Sequence, residues 1–416
     1  RTGEGKSELI ETLRQLAAAV RPKDTSQLFR LPVDRCFTMK GFGTVVTGTL
    51  ISGSVRKEDE VQLLPSGNLA RIRGLQVHGN AVDMAEAGQR TAINLQGVDV
   101  RDVSRGMVLT APGTLRAASM FDCHLDLLPT AAGPITRRRR IRFHVGTAEI
   151  MGYVSLLEGD RLDPGASSLV QIRLEAPVAA FPGDRFIVRQ YSPMITIGGG
   201  EILEADPKKH RLRDDRITER LGIFKGGTLE DRLVVLIDEA GLGACTLQDL
   251  VGNVGVAGKT VHQHLESLEA SRTIRVLSQA PLTVVSEGVF QKVSSQVVAE
   301  VLEFHKAEPL SRGLSREVLR NSLFRRGSNL VFQAVLEDLE GREKITLAQE
   351  IVHAFGRVIT LEAEEVRIRE SLAEEFRQSG FQVASAEEVV RKLGLDRQKA
   401  WKIVRLMIQD GTLAKV

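Results

Sequence analysis

The chain has 416 residues, too many for one ordinary domain and enough for three or more. A hydrophobic fraction of 42% supports real cores and a charged fraction of 26% is ordinary; a net charge of +3 leaves any nucleic-acid contact to local basic patches. No run approaches the ~18 apolar residues of a membrane span, no signal peptide opens the chain, and Cys36, Cys123 and Cys245 lie far apart without a C-x-x-C, so the expectation is a cytoplasmic protein with no membrane contact, disulfide framework or zinc site.

The chain opens on Arg1-Thr2-Gly3-Glu4-Gly5-Lys6-Ser7 without an initiator Met and reads as cut at this end. Gly5-Lys6-Ser7 invites a P-loop reading, but the earlier glycine of that motif would fall before Arg1 and the preceding strand is missing too. The better expectation is that Ser7 caps a helix from Glu8 to about Ala19, with Leu9, Ile10, Leu13 and Leu16 on one stripe.

From about Gln27 to Ala205 the periodicity is two rather than 3.6. Short strands are expected at Thr44–Thr49, Val61–Leu64 and Ala92–Leu95, bounded by turn signals such as Ser52-Gly53, Ser66-Gly67-Asn68 and Arg105-Gly106. A second set follows at Asp122–Leu128, Arg140–Val145, Ile150–Leu156, Leu169–Leu174 and Arg185–Gln190, with Pro112-Gly113 dividing the two sets. Strands at this spacing without helical patterning predict two consecutive small β-barrels or sandwiches of about 90 residues each.

The last half is helical and repeats. Val261, Leu265, Leu268 and Ile274 share one apolar spacing with Phe332, Leu336, Leu339 and Ile345, and with Ala400, Val404, Met407 and Leu413, at intervals of 71 and 68 residues. Upstream of each lie two more helical patterns: Leu229–Ala240 with Thr246–Val251, Ser294–His305 with Ser315–Leu323, and Glu362–Gln378 with Ala386–Leu393. Three helices and then a β-hairpin is the winged-helix order, so three tandem winged helices are expected. The first hairpin is legible as Thr273–Leu277 and Leu282–Ser286; in the third the first wing strand barely starts before Val416, so this end also reads as cut.

The run from Val33-Asp34-Arg35-Cys36-Phe37-Thr38-Met39-Lys40-Gly41-Phe42-Gly43 to Thr44-Val45-Val46-Thr47-Gly48 resembles the second domain of translational GTPases of the elongation factor Tu type. Three features turn that resemblance toward the selenocysteine-specific elongation factors, the SelB family. They are Asp34-Arg35 with Gly88-Gln89-Arg90; Gly183-Asp184-Arg185-Phe186-Ile187-Val188-Arg189 leading to Ser192-Pro193-Met194-Ile195-Thr196-Ile197-Gly198-Gly199-Gly200; and the winged-helix tail. The resemblance implies a multidomain chain: the last helix of a G domain at 1–22, translational-GTPase-type β-barrels at 26–113 and 114–206, a linker with a first winged helix at 207–288, and further winged helices at 289–356 and 357–416. It also implies departures. The family's Walker A, switch regions and guanine-specifying motif are missing from these residues, and where the family ends in four winged helices, the last gripping an insertion hairpin in the mRNA, three are counted here. The expectation is therefore no GTPase activity in this chain alone and no cofactor on it, with GTP and Mg²⁺ belonging to the intact protein.

What the resemblance implies for binding can be argued chemically. Such a factor accepts selenocysteine and rejects serine on the same tRNA. A selenol is ionised at neutral pH and a serine hydroxyl is neutral, so two guanidiniums would give the selenolate charge-assisted hydrogen bonds, about twice as strong as neutral ones. With serine the same charges stay uncompensated. Residues matching Asp34, Arg35 and Arg90 line this pocket in the family; Arg35 and Arg90 are assigned to the selenolate, with Asp34 fixing an arginine or accepting from the aminoacyl group.

Arg137, Arg138, Arg139 and Arg140, with Arg142, mark a strand start that reads equally as a solvated edge or as a phosphate contact with RNA. His144-Val145-Gly146-Thr147 also matches the family, without assignable chemistry. In the third winged helix Arg397, Lys399, Lys402 and Arg405 surround Trp401, as a nucleic-acid reader would, whereas the first unit, with Lys259, His262 and His264 beside Glu266 and Glu269, reads as a spacer. The expected partners are selenocysteinyl-tRNA, the mRNA insertion hairpin and the ribosome, with the protein a monomer. Two other readings stay open: a fragment of a general elongation-factor-Tu-like GTPase, and a winged-helix DNA-binding regulator with a β-barrel ligand domain.

Overall fold

The computed structural model describes residues 3–20, 25, 27–39, 41, 43–136, 138–210, 213–379 and 385–414. They divide into two compact units, Arg1–Leu236 with Thr246–Ala270, and Ile237–Cys245 with Ser271–Val416.

The first helix, α1 (Lys6–Ala19), starts two residues earlier than expected. Ser7 does not cap it; the N-cap is Gly5, in the left-handed conformation and with no side-chain hydrogen bond. A glycine there turns the chain into the helix without a side chain's help. None of its residues is buried, and Leu9, Ile10, Leu13 and Leu16 form the expected apolar stripe in the open.

Nine strands follow: β1 (Arg30–Met39), β2 (Gly43–Thr49), β3 (Ser54–Arg56), β4 (Glu60–Leu64), β5 (Asn68–Val77), β6 (Asn80–Val82), β7 (Met84–Glu86), β8 (Arg90–Gln96) and β9 (Val108–Thr110). Six pair in the order β4–β9–β1–β2–β8–β5, and a β4–β5 pairing closes the ring into an antiparallel barrel. Inward residues alternate along each strand, as at Thr91, Ile93 and Leu95 of β8, and meet Leu31, Val33, Val46, Leu63 and Ile72 in one core.

The second barrel is built from β10 (Ala117–Leu127), β12 (Arg138–Val145), β13 (Ala148–Leu156), β15 (Ser167–Ala179), β16 (Arg185–Gln190) and β17 (Thr196–Ala205), with the short pair β11 (Ile135–Thr136) and β14 (Arg161–Leu162) outside the ring. Its core stacks Phe121, Phe143 and Phe186, with ring centroids 6.2 and 5.0 Å apart. The triple glycine of β17 has a steric reason: a Cβ on Gly200 would lie 1.8 Å from the carbonyl oxygen of His124 on β10. Two closed six-stranded barrels thus stand where the alternating patterns put them.

The helical elements are α2 (Asp215–Gly226), α3 (Leu229–Ala240), α4 (Leu247–Val254), α5 (Gly258–Ala270), α6 (Glu287–Ala307), α7 (Arg316–Leu323), α8 (Asn329–Gly341), α9 (Ala363–Ser379), α10 (Ala386–Lys392) and α11 (Arg397–Gln409). In the first unit, Leu221 and Phe224 of α2 pack on Leu157, Leu169 and Leu203 of the second barrel, and α4 opens on a Thr246–Asp249 capping box. In the second unit, α6, α7, α8 and the hairpin Ile345–Ala348/Ile351–Ala354 share a core of Phe290, Val297, Phe324, Phe332 and Leu336. The earlier hairpin, Ile274–Gln279/Leu282–Ser286, is tied to it by Arg275, which donates to both Glu287 oxygens at 2.9 Å and to Asp338 at 2.8 Å, its guanidinium lying over Phe290.

Helices α9–α11 bury Leu372, Val389, Ala400, Val404 and Met407 together. The wing strand expected at Leu413 is not formed among the described residues. Gly411 takes a positive φ and the Leu413 N–H returns to the carbonyl of Met407 at 2.8 Å, so this backbone closes α11 instead of starting a strand.

Candidate functional site

Asp34 occupies a β-bulge. In the β1–β2 register Val33 faces Gly48 and Arg35 faces Thr47, so Asp34 is the extra residue on β1. A bulge re-aims its side chain and bends its strand. Gly48 is required opposite it, because a Cβ there would lie 2.2 Å from the carbonyl oxygen of Pro32. The Val33 carbonyl is held from two sides, by the Gly106 N–H at 3.1 Å and by the Thr147 hydroxyl at 2.8 Å. Thr147 belongs to the β12–β13 turn of the second barrel, so the second barrel fixes the bulge of the first.

At the bulge, Asp34 accepts from the Thr47 hydroxyl at 2.7 Å on one carboxylate oxygen and from Arg90 at 2.6 Å on the other. Burial works to raise the Asp34 carboxyl, but these two hydrogen bonds and the charges of Arg90 and Arg35 outweigh it and hold the group below the usual range. The Arg90 side chain is 53% exposed, so the ion pair contributes little stability; its value is geometric. A cavity of about 200 Å³ opens beside Arg90, with Thr47, Gln76, His78, Gly79 and Ala92 in its walls. The structure thus brings Asp34 to Arg90, with Arg35 close enough to act on Asp34 by charge while its own side chain is exposed. Three participants were missed by sequence reasoning. Thr47 lay inside the quoted motif, whereas Gln76 and His78 stand on a hairpin that carries no signal beyond its His-Gly-Asn turn.

The barrels are also clamped by Arg30 on β1, whose Nη1 reaches both oxygens of Asp184 at 2.8 and 2.7 Å, whose Nε donates to Ser52, and whose guanidinium lies over Phe181. His144-Val145-Gly146-Thr147 therefore belongs to the joint between the barrels, with Thr147 as its working group.

The other basic residues divide. Arg137 lies outside the described residues. Arg138 stacks over Tyr153 at 4.2 Å; Arg139 turns inward to the Pro134 carbonyl and Gln190; Arg140 pairs with Glu175 at 2.9 Å and lies over Tyr191. The three alternate along the strand, with Arg139 less exposed than its two neighbours. On α11, Arg397 pairs with Glu387, Lys399 with Glu364 and Lys402 with Glu308, while Arg405 is exposed. Exposed pairs of this kind exchange readily for phosphate.

Gly5-Lys6-Ser7 opens α1, a helix with no buried residue. No group of three or more His, Cys, Asp or Glu side chains is placed to hold a metal among the described residues, and no described helix is long and apolar enough to cross a membrane.

Comparison with known proteins matches residues 43–110 to elongation factor Tu domain 2, residues 123–209 to the β-barrel domain of selenocysteine-specific elongation factor, and residues 298–353 to the winged helix of elongation factor SelB. The selenocysteine-specific elongation factor of Desulfomicrobium baculatum is 33% identical over 415 residues, covering 100% of this chain and 65% of that protein. That of Haemophilus influenzae is 25% identical over 404 residues, covering 95% and 61%. The crystal structure of a bacterial selenocysteine-specific elongation factor, EF-Sec, shares the fold with a TM-score of 0.66 at 20% identity, over 98% of this chain and 62% of its own. The chain thus spans less than two thirds of the length of these relatives. The barrel and the winged helix both match this specialised branch, away from general elongation factors and DNA-binding regulators: the chain belongs to the SelB family of selenocysteine-specific elongation factors.

Proposed function

We propose that this chain carries the tRNA- and mRNA-facing parts of a factor that delivers selenocysteinyl-tRNA to the ribosome at recoded UGA codons. One observation carries the reading: a single carboxylate, Asp34, lies hydrogen-bonded to Arg90 and within charge range of Arg35. Two guanidiniums against one carboxylate leave the site one positive charge in excess. A selenolate neutralises it, and a serine hydroxyl leaves it uncompensated, which is where the discrimination arises. Asp34 holds Arg90 in place, Thr47 fixes the carboxylate, and the cavity beside Arg90 receives the aminoacyl side chain.

The winged helices would meet an mRNA hairpin, with Arg138, Arg140, Arg397, Lys399, Lys402 and Arg405 as phosphate contacts. GTP and Mg²⁺ would be cofactors of the full-length protein. The exposed stripe of α1 supports reading that helix as part of a nucleotide-binding domain. In the full-length protein, Arg35→Ala and Arg90→Ala should each reduce the preference for selenocysteinyl- over seryl-tRNA and together abolish it. A preference that survived the double substitution would remove the pocket from these residues.

A further inference from the structure

Within the second unit, the segment joining the second and third winged helices borders an open cleft of about 730 Å³, within the ~300–1,000 Å³ span of small-ligand sites. Its polar wall carries Arg312, Arg357 and Arg369 with His353, against one carboxylate, Asp410. Arg369 donates to Asp410 at 2.8 Å, and Arg312 acts on the same carboxylate by charge alone. Arg357 has no acidic partner among the described residues. Its Nη2 donates to the carbonyls of Pro309 and Ser311, at 2.6 and 3.3 Å, and its buried Nε has no partner there. Burial lowers this guanidinium from its ordinary value, and no carboxylate offsets the effect. A half-buried cation without a counter-charge is costly, and the cleft is where its anion would sit.

The cleft also has an apolar lining. Val358 is 81% exposed, and Ile359, Leu361 and Leu406 line the same cleft. Forked guanidiniums in one cleft with aliphatic side chains match a phosphate joined to a flat, weakly polar ring: the fork takes the phosphate oxygens and the base lies on the apolar lining. A duplex would bring only phosphates and leave that surface in water.

We propose that this cleft binds an unpaired ribonucleotide of an RNA strand, with Arg357 and Arg312 on its phosphate and the Val358–Leu361 segment under its base. The proposal rests on the reading of the winged helices as RNA-facing and places on them a contact separate from the basic side chains Arg397, Lys399, Lys402 and Arg405 of α11.

Adenosine 5′-monophosphate is the probe, added to the whole chain and followed by saturation-transfer NMR, with adenosine, inorganic phosphate and a penta-adenylate RNA as competitors. The expected dissociation constant for the mononucleotide is on the order of 1 mM, and adenosine should bind about tenfold more weakly. Arg312→Glu, at an exposed position, should weaken binding about tenfold without changing the melting curve; Arg357→Lys, which keeps the charge and loses the fork, should weaken it severalfold. Penta-adenylate should displace the mononucleotide at lower concentration. No signal at ~10 mM mononucleotide, or binding unmoved by both substitutions, would overturn the site. Inorganic phosphate competing as well as the mononucleotide would reduce it to an anion site, and a mononucleotide preferred over the pentamer would assign a free nucleotide instead of RNA; either result overturns the proposal. No tRNA enters the experiment, so its failure leaves the barrel pocket as it stands.

Discussion

His305 should make the second unit acid-labile. It lies on α6, is only 6% exposed, and its Nε2 accepts the N–H of Ala354 at 3.1 Å. Protonation at Nε2 would set a donor against a donor. Burial, then the charges of Arg357 and His353, lower the imidazole from 6.5 to about 4. Because the folded value lies below the unfolded one, the unfolded chain takes up the proton first as pH falls, so stability is complete above 6.5 and is lost between 6.5 and 4. At about 1.4 kcal/mol per unit, the loss between pH 7 and pH 5 is about 2 kcal/mol from this residue. Urea unfolding of the chain at several pH values, followed by probes in the second unit, measures it. Carboxylates change over the same range, so the difference from His305→Gln isolates the effect; glutamine can still accept from Ala354 but does not titrate. The wild type should lose about 2 kcal/mol more than the variant over that interval. Parallel curves would refute the placement of His305 as a buried, neutral acceptor.

Asp122 is fully buried against His210, at 2.5 Å, with Gln171 on its other oxygen at 2.9 Å; burial pushes its carboxyl up to about 6 against the pull of His210. His210→Ala should cost about 3–5 kcal/mol in thermal unfolding, and adding Asp122→Asn should recover part of it; additive losses would contradict the pairing. Gly48→Ala must push a methyl into the Pro32 carbonyl, and should destabilise the first barrel by about 2 kcal/mol or more; a neutral effect in chemical denaturation would mean that β1 and β2 are less tightly apposed there. Thr147→Ala should cost about 1 kcal/mol of stability and reduce selenocysteinyl-tRNA selectivity, and Thr147→Ser should restore the selectivity. Selectivity unchanged in the alanine variant would confine Thr147 to a joint between barrels.

The parts of this fold that could be read were those with a short-range cause. The strand Arg185–Gln190 and the helix Leu229–Ala240 fall where alternation and apolar periodicity put them, and Thr246 sits one residue before α4 because its hydroxyl and Asp249 close a capping box. Helix α2 escaped notice because only Leu221 and Phe224 along it are deeply buried, too few for a periodic stripe. The site shows the same division. Asp34, Arg35 and Arg90 could be named from a motif, but the bulge that aims Asp34 depends on Thr147, 114 residues away from the carbonyl it holds. Such a contact between barrels leaves no trace in local periodicity, and His144-Val145-Gly146-Thr147 remained without a role until the two barrels were seen together. The cleft arginines likewise come from three separate stretches of chain, at Arg312, Arg357 and Arg369.

The proposed selectivity comes from an excess of one positive charge around Asp34, matched to an ionised aminoacyl side chain. The most direct measurement is the ratio of affinities for selenocysteinyl- and seryl-tRNA in the full-length, GTP-loaded protein, for the wild type and for Arg90→Gln. Removing that charge while keeping a hydrogen-bonding side chain should lower the ratio by about one to two orders of magnitude, through weaker binding of the selenocysteinyl form, with the seryl form unchanged or bound better. An unchanged ratio, or an equal loss for both ligands, would show that Arg90 serves tRNA binding in general and that selection lies elsewhere.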